Sequence, residues 1–291
     1  VKPARFDYYA PGSPEETVTL LAELGDEAKI IAGGQSLVPM LALRLAVFDH
    51  LVDLRRLDAL RGIDTHAGAV RIGAGTTHAA VGASAEVRRA VPLLHRATPL
   101  IGHFQIRNRG TIGGAIAHAD AAGEYPVVAL TLDAEIEALS PRGRRTIAAA
   151  DFFTGMWTTA LEPDEMLTAI TFETWEGRCG FAIEEFARRA GDFAMAGAAV
   201  AIRLDGDSRI ERCAIGLFGL GPTPVRARDA EAGLLGCPAT SVTAGEVGAS
   251  ATAQLTGIPA DVHGSADYRR RVGATMVARA WHRAMEEASN D

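Results

Sequence analysis

Two pairs of adjacent glycines are the residues best suited to chemistry. One is Gly33-Gly34 within Ala32-Gly33-Gly34-Gln35-Ser36, the other Gly113-Gly114 within Thr111-Ile112-Gly113-Gly114-Ala115. Adjacent glycines open positive φ angles and remove the Cβ atoms that keep a ligand away from the backbone. Successive N–H groups can then converge on an anion. Ser36 and Thr111 add a hydroxyl beside each loop, and two such loops could close on the two phosphates of a dinucleotide from opposite sides. Taken singly, either is also an ordinary tight turn. Neither fits the G-x-G-x-x-G fingerprint of a Rossmann site or the G-x-x-x-x-G-K-[ST] phosphate loop. Gly34-Gln35-Ser36-Leu37-Val38 misses the serine-hydrolase elbow.

Other reactive side chains form weaker patterns. His118-Ala119-Asp120 supplies one imidazole and one carboxylate, too few for a metal site, and reads as a polar loop beside the second glycine pair. His78 and His103 lack ligand spacing. Arg188-Arg189 and Arg269-Arg270-Arg271 read as solvated or interface residues. Phe193 reads as a core ring, or as one packed against a flat cofactor. Cys179, Cys213 and Cys237 are widely spaced with no Cys-x-x-Cys, so the chain cannot build a four-thiolate iron–sulfur or zinc site alone. No catalytic or metal-binding residue is expected. Such sparse cysteines suit a reducing, cytoplasmic setting.

The elements that must position these loops are legible. Ser13-Pro14-Glu15-Glu16 opens a helix with a capping box, Val18, Leu21 and Leu24 give its apolar face, and Gly25 ends it. Ile30-Ile31-Ala32 is a short strand running into the first glycine pair, and His50 to Leu54 is another. Val70 to Gly75 is a strand with a glycine-rich exit, Ser84 to Thr98 is helical but broken at Pro92, and Thr111 to Gly114 is a second glycine turn. Pro126 to Leu132 is a buried helix. Ala134–Leu139 and Arg145–Ile147 flank a hairpin turn at Pro141-Arg142-Gly143, and Met166–Phe172 is a strand. The polar stretch Thr174–Gly180 is the best domain boundary. Three apolar strands follow, at Phe181–Phe186, Ala196–Leu204 and Ile210–Leu217. Pro222 and Pro224 stop that pattern and the rest is helical, with Tyr268, Val272 and Met276 on one face of the last helix. The fold class is α+β.

With 291 residues, 48% of them hydrophobic and 22% charged, the composition is that of an ordinary globular protein. A net charge of −7 argues against nucleic-acid binding. No apolar run approaches the roughly 18 residues of a membrane span. Val1 to Ala10 lacks the apolar core of a signal peptide.

The chain resembles the FAD-binding medium subunit of molybdenum hydroxylases of the carbon monoxide dehydrogenase type, related to the flavin domain of xanthine dehydrogenase. The likeness begins at Phe6-Asp7-Tyr8 and runs through Ala32 to Pro39, His50 to Leu54, Gln105-Ile106-Arg107, Thr111 to Gly114 and Gly191 to Ala194, to the Tyr268-Arg269 helix. It implies a vanillyl-alcohol-oxidase-type (PCMH-like) FAD-binding domain of two α/β subdomains at 1–177, with a small lobe at about 1–57 and a larger one at about 58–177. A C-terminal α+β domain with a small antiparallel sheet and helices would follow at 178–291. Carried over by position, Ala32, Gly33, Gly34, Gln35, Ser36 and Leu37 would hold the diphosphate from one side, and Thr111, Gly113 and Gly114 from the other. Ile101, Ala117, Ala119, Ala121, Glu124 and Leu167 would line the cofactor further along. Phe193 falls where relatives carry a tyrosine close to the flavin ring. The sequence departs from the family at Ala115, often Asn or Asp; at Glu124, usually Asp; at Glu185, a lysine in some members; and at Phe193.

The same resemblance implies non-covalent FAD in this chain, with the molybdenum cofactor on a large partner subunit and two 2Fe-2S clusters on a small one. The assembly would be a dimer of heterotrimers, with no nucleic acid and no membrane span. Electrons would arrive from the clusters and leave to an external acceptor. Two alternatives are a stand-alone flavoprotein oxidoreductase and an assembly subunit that has lost its cofactor.

Overall fold

Ser13 caps the helix at Pro14–Leu24 as its sequence predicts. Ser13 Oγ accepts from the Glu16 N–H at 3.1 Å, Pro14 opens the first turn, and Gly25 closes the helix at a φ of 64°. The Glu16 carboxylate reaches back one residue further than a standard capping box and accepts from the Gly12 N–H at 2.7 Å. Val18 and Leu21 pack with Val52 and Leu57. This computed structural model describes residues 2–66 and 68–290; Val1, Ala67 and Asp291, which fall within the expected domain ranges, lie outside the described residues.

The helix is the crossover of a β-α-β unit. Strands β1 (Asp7–Tyr9), β2 (Ala28–Ile31) and β3 (His50–Asp53) form a parallel sheet in the order β1-β3-β2, a pairing that needs such a connection. The larger lobe holds β4 (Ile63–His66), β5 (Ala69–Gly73), β6 (Glu135–Ser140), β7 (Gly143–Ala148), a two-stranded hairpin of β8 (Phe153–Gly155) and β9 (Thr158–Thr159), and β10 (Met166–Glu173). Five of these make an antiparallel sheet in the order β4-β5-β10-β6-β7. Leu139 and Met166 from this sheet join the small-lobe core and tie the lobes together.

The remaining strands, β11 (Arg178–Phe186), β12 (Ala196–Leu204), β13 (Ile210–Phe218) and β14 (Val225–Arg226), form a second antiparallel sheet in sequence order. It is covered on both faces, and the alternation along β12 shows how. Ala199 and Ala201 face the core shared with the larger lobe, whereas Ala198, Val200 and Ile202 face the C-terminal helices. The helix Glu124–Thr131 of the larger lobe packs on this sheet, so close that a Cβ on Gly216 would stand 2.0 Å from Thr131 Oγ1. No helix or strand spans residues 174–177, yet the hydrophobic core runs across that point.

Two sequence expectations change. Thr111-Ile112-Gly113-Gly114 is the start of a helix, Ile112–His118, and not a turn: Thr111 Oγ1 caps it by accepting from the Gly114 N–H at 3.1 Å. Glycine is a poor helix former, but a Cβ on Gly113 would stand 2.4 Å from that of Ala74, so packing against the end of β5 overrides propensity. In the last helix, Ala266–Asn290, the buried stripe runs Arg269, Gly273, Met276, Val277, Ala280, Trp281, Ala284 and Ala288. Tyr268 and Val272 lie at its margin. Arg269 is buried and structural, donating to Met195 O at 2.9 Å and to Asp261 Oδ2 at 2.7 Å.

Candidate dinucleotide site

Strand β2 delivers the first glycine pair to the rim of a cleft of about 530 Å³ between the two lobes. Gly34 takes a φ of 71°, which a side chain would strain. The Gln35 side-chain amide donates to Gly33 O at 2.8 Å and holds the bend. Among the described residues, no protein group accepts from the N–H of Gly33, Gly34, Gln35, Ser36 or Leu37. Five consecutive free donors at one bend form a nest for an anion.

The second glycine pair does different work. Ile112 N–H donates to Thr76 O, Gly113 N–H to Ala74 O, Gly114 N–H to Thr111 Oγ1 and Ala115 N–H to Thr111 O. All four donors of the helix start are therefore consumed inside the protein. The expected symmetric pair of N–H clamps becomes an asymmetric one: the first loop offers donors, and the second offers bare surface, the Thr111 hydroxyl and the helix face beyond it. The loops also dock on each other. A Cβ on Gly33 would stand 2.2 Å from Arg109 O and 2.6 Å from Gly110 Cα, and one on Gly114 would come 3.4 Å from Ala32 Cβ. Gly33 is thus bare because a neighbouring backbone occupies its side-chain space, and not because a phosphate does.

Ala32, Gly33, Gly34, Gln35, Ser36, Leu37, Thr111, Gly113, Gly114, Ala117 and Leu167 all line this one cleft. Ile101, Ala119, Ala121, Glu124 and Phe193 do not. Ile101 packs on the main core, and its carbonyl accepts from Arg107 at 2.9 Å. Ala119 is buried at the left-handed end of the Ile112–His118 helix, and Ala121 O accepts from Gly219 N–H. Phe193 is 58% exposed, so it is not the core ring its type suggested. Its loop does meet the Ile101 segment: a Cβ on Gly191 would stand 3.0 Å from Gly102 O. Ala115 packs on the core.

Burial sets the charges around the site. Glu124 is buried at the start of its helix, and desolvation, opposed by its own backbone N–H and helped by Glu185 and Asp120, raises its carboxyl to about 8. Desolvation raises Glu185, on β11, to about 7, and its Oε2 has no hydrogen-bond partner. His78, beneath Gly110, is pushed down to about 4 by burial, with help from Arg107. His118 is likewise lowered by burial.

Sequence reasoning missed several cleft residues: Lys29, whose ammonium sits 5.7 Å over the Phe48 ring, Met40 and Trp157. Trp157 arrives from the β8–β9 hairpin, 37 residues from its partner Asp120. No local pattern signals that contact. No cluster of three or more metal-ligating side chains occurs among the described residues.

A parallel small lobe, an antiparallel larger lobe and a donor-rich cleft between them define a flavin-type dinucleotide-binding protein. FAD fits: its diphosphate matches the unpaired donors of Gly33 to Leu37, and both glycine segments face the same space. Residues 4–175 match the FAD-binding domain of molybdopterin dehydrogenases, and residues 181–284 match the C-terminal domain of carbon monoxide dehydrogenase flavoproteins. The chain is 40% identical over 290 residues to the 6-hydroxypseudooxynicotine dehydrogenase complex subunit alpha of Paenarthrobacter nicotinovorans, covering 99% of this chain and 97% of that one. It is 39% identical over 278 residues to the carbon monoxide dehydrogenase medium chain of Hydrogenophaga pseudoflava, covering 96% of each. It superposes on the solved carbon monoxide dehydrogenase of Hydrogenophaga pseudoflava lacking the Mo-pyranopterin moiety with a TM-score of 0.95, at 39% identity and 99% coverage of each chain. Quinoline 2-oxidoreductase from Pseudomonas putida 86 gives 0.92, at 35% identity and 99% coverage of each chain. The chain belongs to the family of FAD-binding medium subunits of molybdenum hydroxylases and is an oxidoreductase subunit.

Proposed function

We propose that this chain is the electron-exit subunit of a heterotrimeric molybdenum hydroxylase: it holds FAD, takes electrons from iron–sulfur clusters on a small partner, and passes them to an external acceptor, while a large molybdenum-cofactor partner oxidises the organic substrate. The observation that carries this reading is the row of unpaired N–H donors on Gly33 to Leu37, residues that line the same cleft as the second glycine segment, in a chain of this family. The 2Fe-2S clusters belong on another chain because this one has only three scattered cysteines. A dimer of such heterotrimers in the cytoplasm follows from the same family reading; among the described residues no helix is long and apolar enough to cross a membrane. The division into an FAD-binding domain at 1–177 and a C-terminal domain at 178–291 is proposed on the element-free stretch before β11.

When bound, FAD exchanges electrons singly or in pairs, which suits it to join one-electron and two-electron partners. The chain's own work is binding, orientation and charge control. The donors of Gly33 to Leu37 would neutralise the diphosphate, and the Gln35 amide keeps that bend closed. The Thr111 cap fixes the facing helix, and Leu167 walls the cleft with a buried apolar side chain. Burial raises the carboxyls of Glu124 and Glu185 to about 8 and about 7, so Glu124 is mostly protonated near neutral pH where the resemblance sets the adenosine part, and Glu185 titrates there where it sets the flavin. Ile101 and Phe193, in segments that touch through Gly191 and Gly102, would border the flavin ring.

The test is the assembled complex stripped of flavin. Substrate should still bleach the iron–sulfur spectrum, acceptor reduction should vanish, and added FAD should restore it. A complex that reduces its acceptor equally well without FAD, or an isolated chain that oxidises the organic substrate alone, would overturn the reading.

A further inference from the structure

Trp157 sits at the tip of the β8–β9 hairpin on the cleft wall, 57% exposed. Its backbone has a φ of 53°, a left-handed conformation that costs a bulky residue free energy and persists where the surrounding structure enforces it, often at ligand clamps. Its indole is held firmly in spite of its exposure. Nε1 donates to Asp120 Oδ2 at 3.2 Å, while Asp120 Oδ1 is fixed by the Ala122 N–H at 2.9 Å. The His118 imidazole lies nearly parallel to the indole, with planes 9° apart and centroids at 6.4 Å. His118 itself closes the helix that begins at the second glycine pair and also lines the cleft. A strained backbone, a tethered N–H and a parallel ring together present one flat aromatic face to the space beside the anion nest. An exposed, preorganised indole of this kind loses little conformational freedom when a planar ligand ring covers it.

We propose that the Trp157 indole, oriented by Asp120 and parallel to the His118 ring, is a stacking platform for one of the flat heteroaromatic rings of the bound dinucleotide. The proposal rests on the cleft being the FAD site. Adenine and isoalloxazine share the chemistry that would be recognised, a planar π-system joined to a diphosphate, and half-ligands separate them.

The test uses the full-length chain labelled with fluorotryptophan and followed by fluorine NMR. The chain has three tryptophans, and the other two, Trp175 and Trp281, are 8% and 1% exposed, so Trp157→Phe assigns the reporter. FAD should shift the Trp157 resonance and leave the other two nearly in place. ADP alone reproducing the shift assigns adenine, and FMN alone reproducing it assigns isoalloxazine; either supports the platform. Trp157→Ala should weaken FAD binding about ten-fold, from the usual contribution of ring stacking, with circular dichroism and melting showing a folded chain. Trp157→Phe should stay within about three-fold of wild type because a ring remains. FAD binding with an unmoved Trp157 resonance and unchanged affinity in Trp157→Ala overturns the platform and leaves the FAD reading intact. A wild-type chain that takes up no FAD overturns both.

Discussion

Replacing Gly33 by Ala should both destabilise the chain and empty it of flavin. The added Cβ would stand 2.2 Å from Arg109 O and 2.6 Å from Gly110 Cα, so the loops must part by about 1 Å or more to reach ordinary contact. The obstructing atoms are backbone and are themselves held: Gly110 N–H donates to Ile106 O at 2.7 Å, and Gly110 O accepts from His78 N–H at 2.9 Å. Overpacking against atoms that cannot rotate away falls at the upper end of its usual range, about 3 kcal/mol. For domains of this size that is a fall in Tm of roughly 6–12 °C for the flavin-free chain. Moving the nest by that distance would also cost about two charge-assisted hydrogen bonds to the diphosphate, at about 1.5–3 kcal/mol each, a loss of affinity of about 100-fold or more. The assays are differential scanning of the flavin-free chain and the flavin-to-protein absorbance ratio after gel filtration. Gly114→Ala is the internal control. Its Cβ meets the Thr111 hydroxyl at 2.9 Å and Ala32 Cβ at 3.4 Å, a contact a small shift can relieve, so its fall in Tm should be less than half as large. A Gly33→Ala chain that melts within about 2 °C of wild type and keeps a full complement of flavin would refute the packing account.

Thr111→Ala removes the cap on the Ile112–His118 helix and should cost about 1 kcal/mol in chemical denaturation; an unchanged midpoint would show the cap to be idle. Glu124 and Glu185 have folded carboxyls raised from 4.5 to about 8 and about 7, so the folded state holds more protons than the unfolded one in that window and stability is lost as pH rises from about 4.5 to about 8. Glu124→Gln should flatten that decline, and melting curves at both ends of the range that fall as steeply as wild type would contradict the assignment. Arg226 links the two domains, bonding Leu130 O and Asp133 on one side and Glu231 on the other, with side chains of Arg226 and Glu231 only 8% and 9% exposed. Arg226→Met leaves Glu231 buried without its cation and should cost about 3 kcal/mol, read as a lower unfolding midpoint; substitution of both residues by apolar ones should recover much of it.

Contacts close in sequence were the legible part of this protein. The cap and stop of the Pro14–Leu24 helix, the apolar runs of β2, β3, β10, β12 and β13, the hairpin at Pro141-Arg142-Gly143 and the nest geometry at Gly33-Gly34 all follow from neighbouring residues, because caps, turns and strand periodicity act over a few positions. Resemblance extended this to eleven residues that the structure gathers around one cleft. Tertiary structure alone decided the rest. Whether Gly113-Gly114 turns or starts a helix depends on Ala74, from another strand. Whether Gly33 is bare for a ligand or for Arg109 is settled by a loop 76 positions away, and the orientation of the Trp157 indole by Asp120, with the His118 ring parallel to it. The charge state of Glu124 follows from its burial beneath the second sheet. Each of these depends on which distant atoms share a space and how much water they exclude, quantities that arise only when the sheets pack.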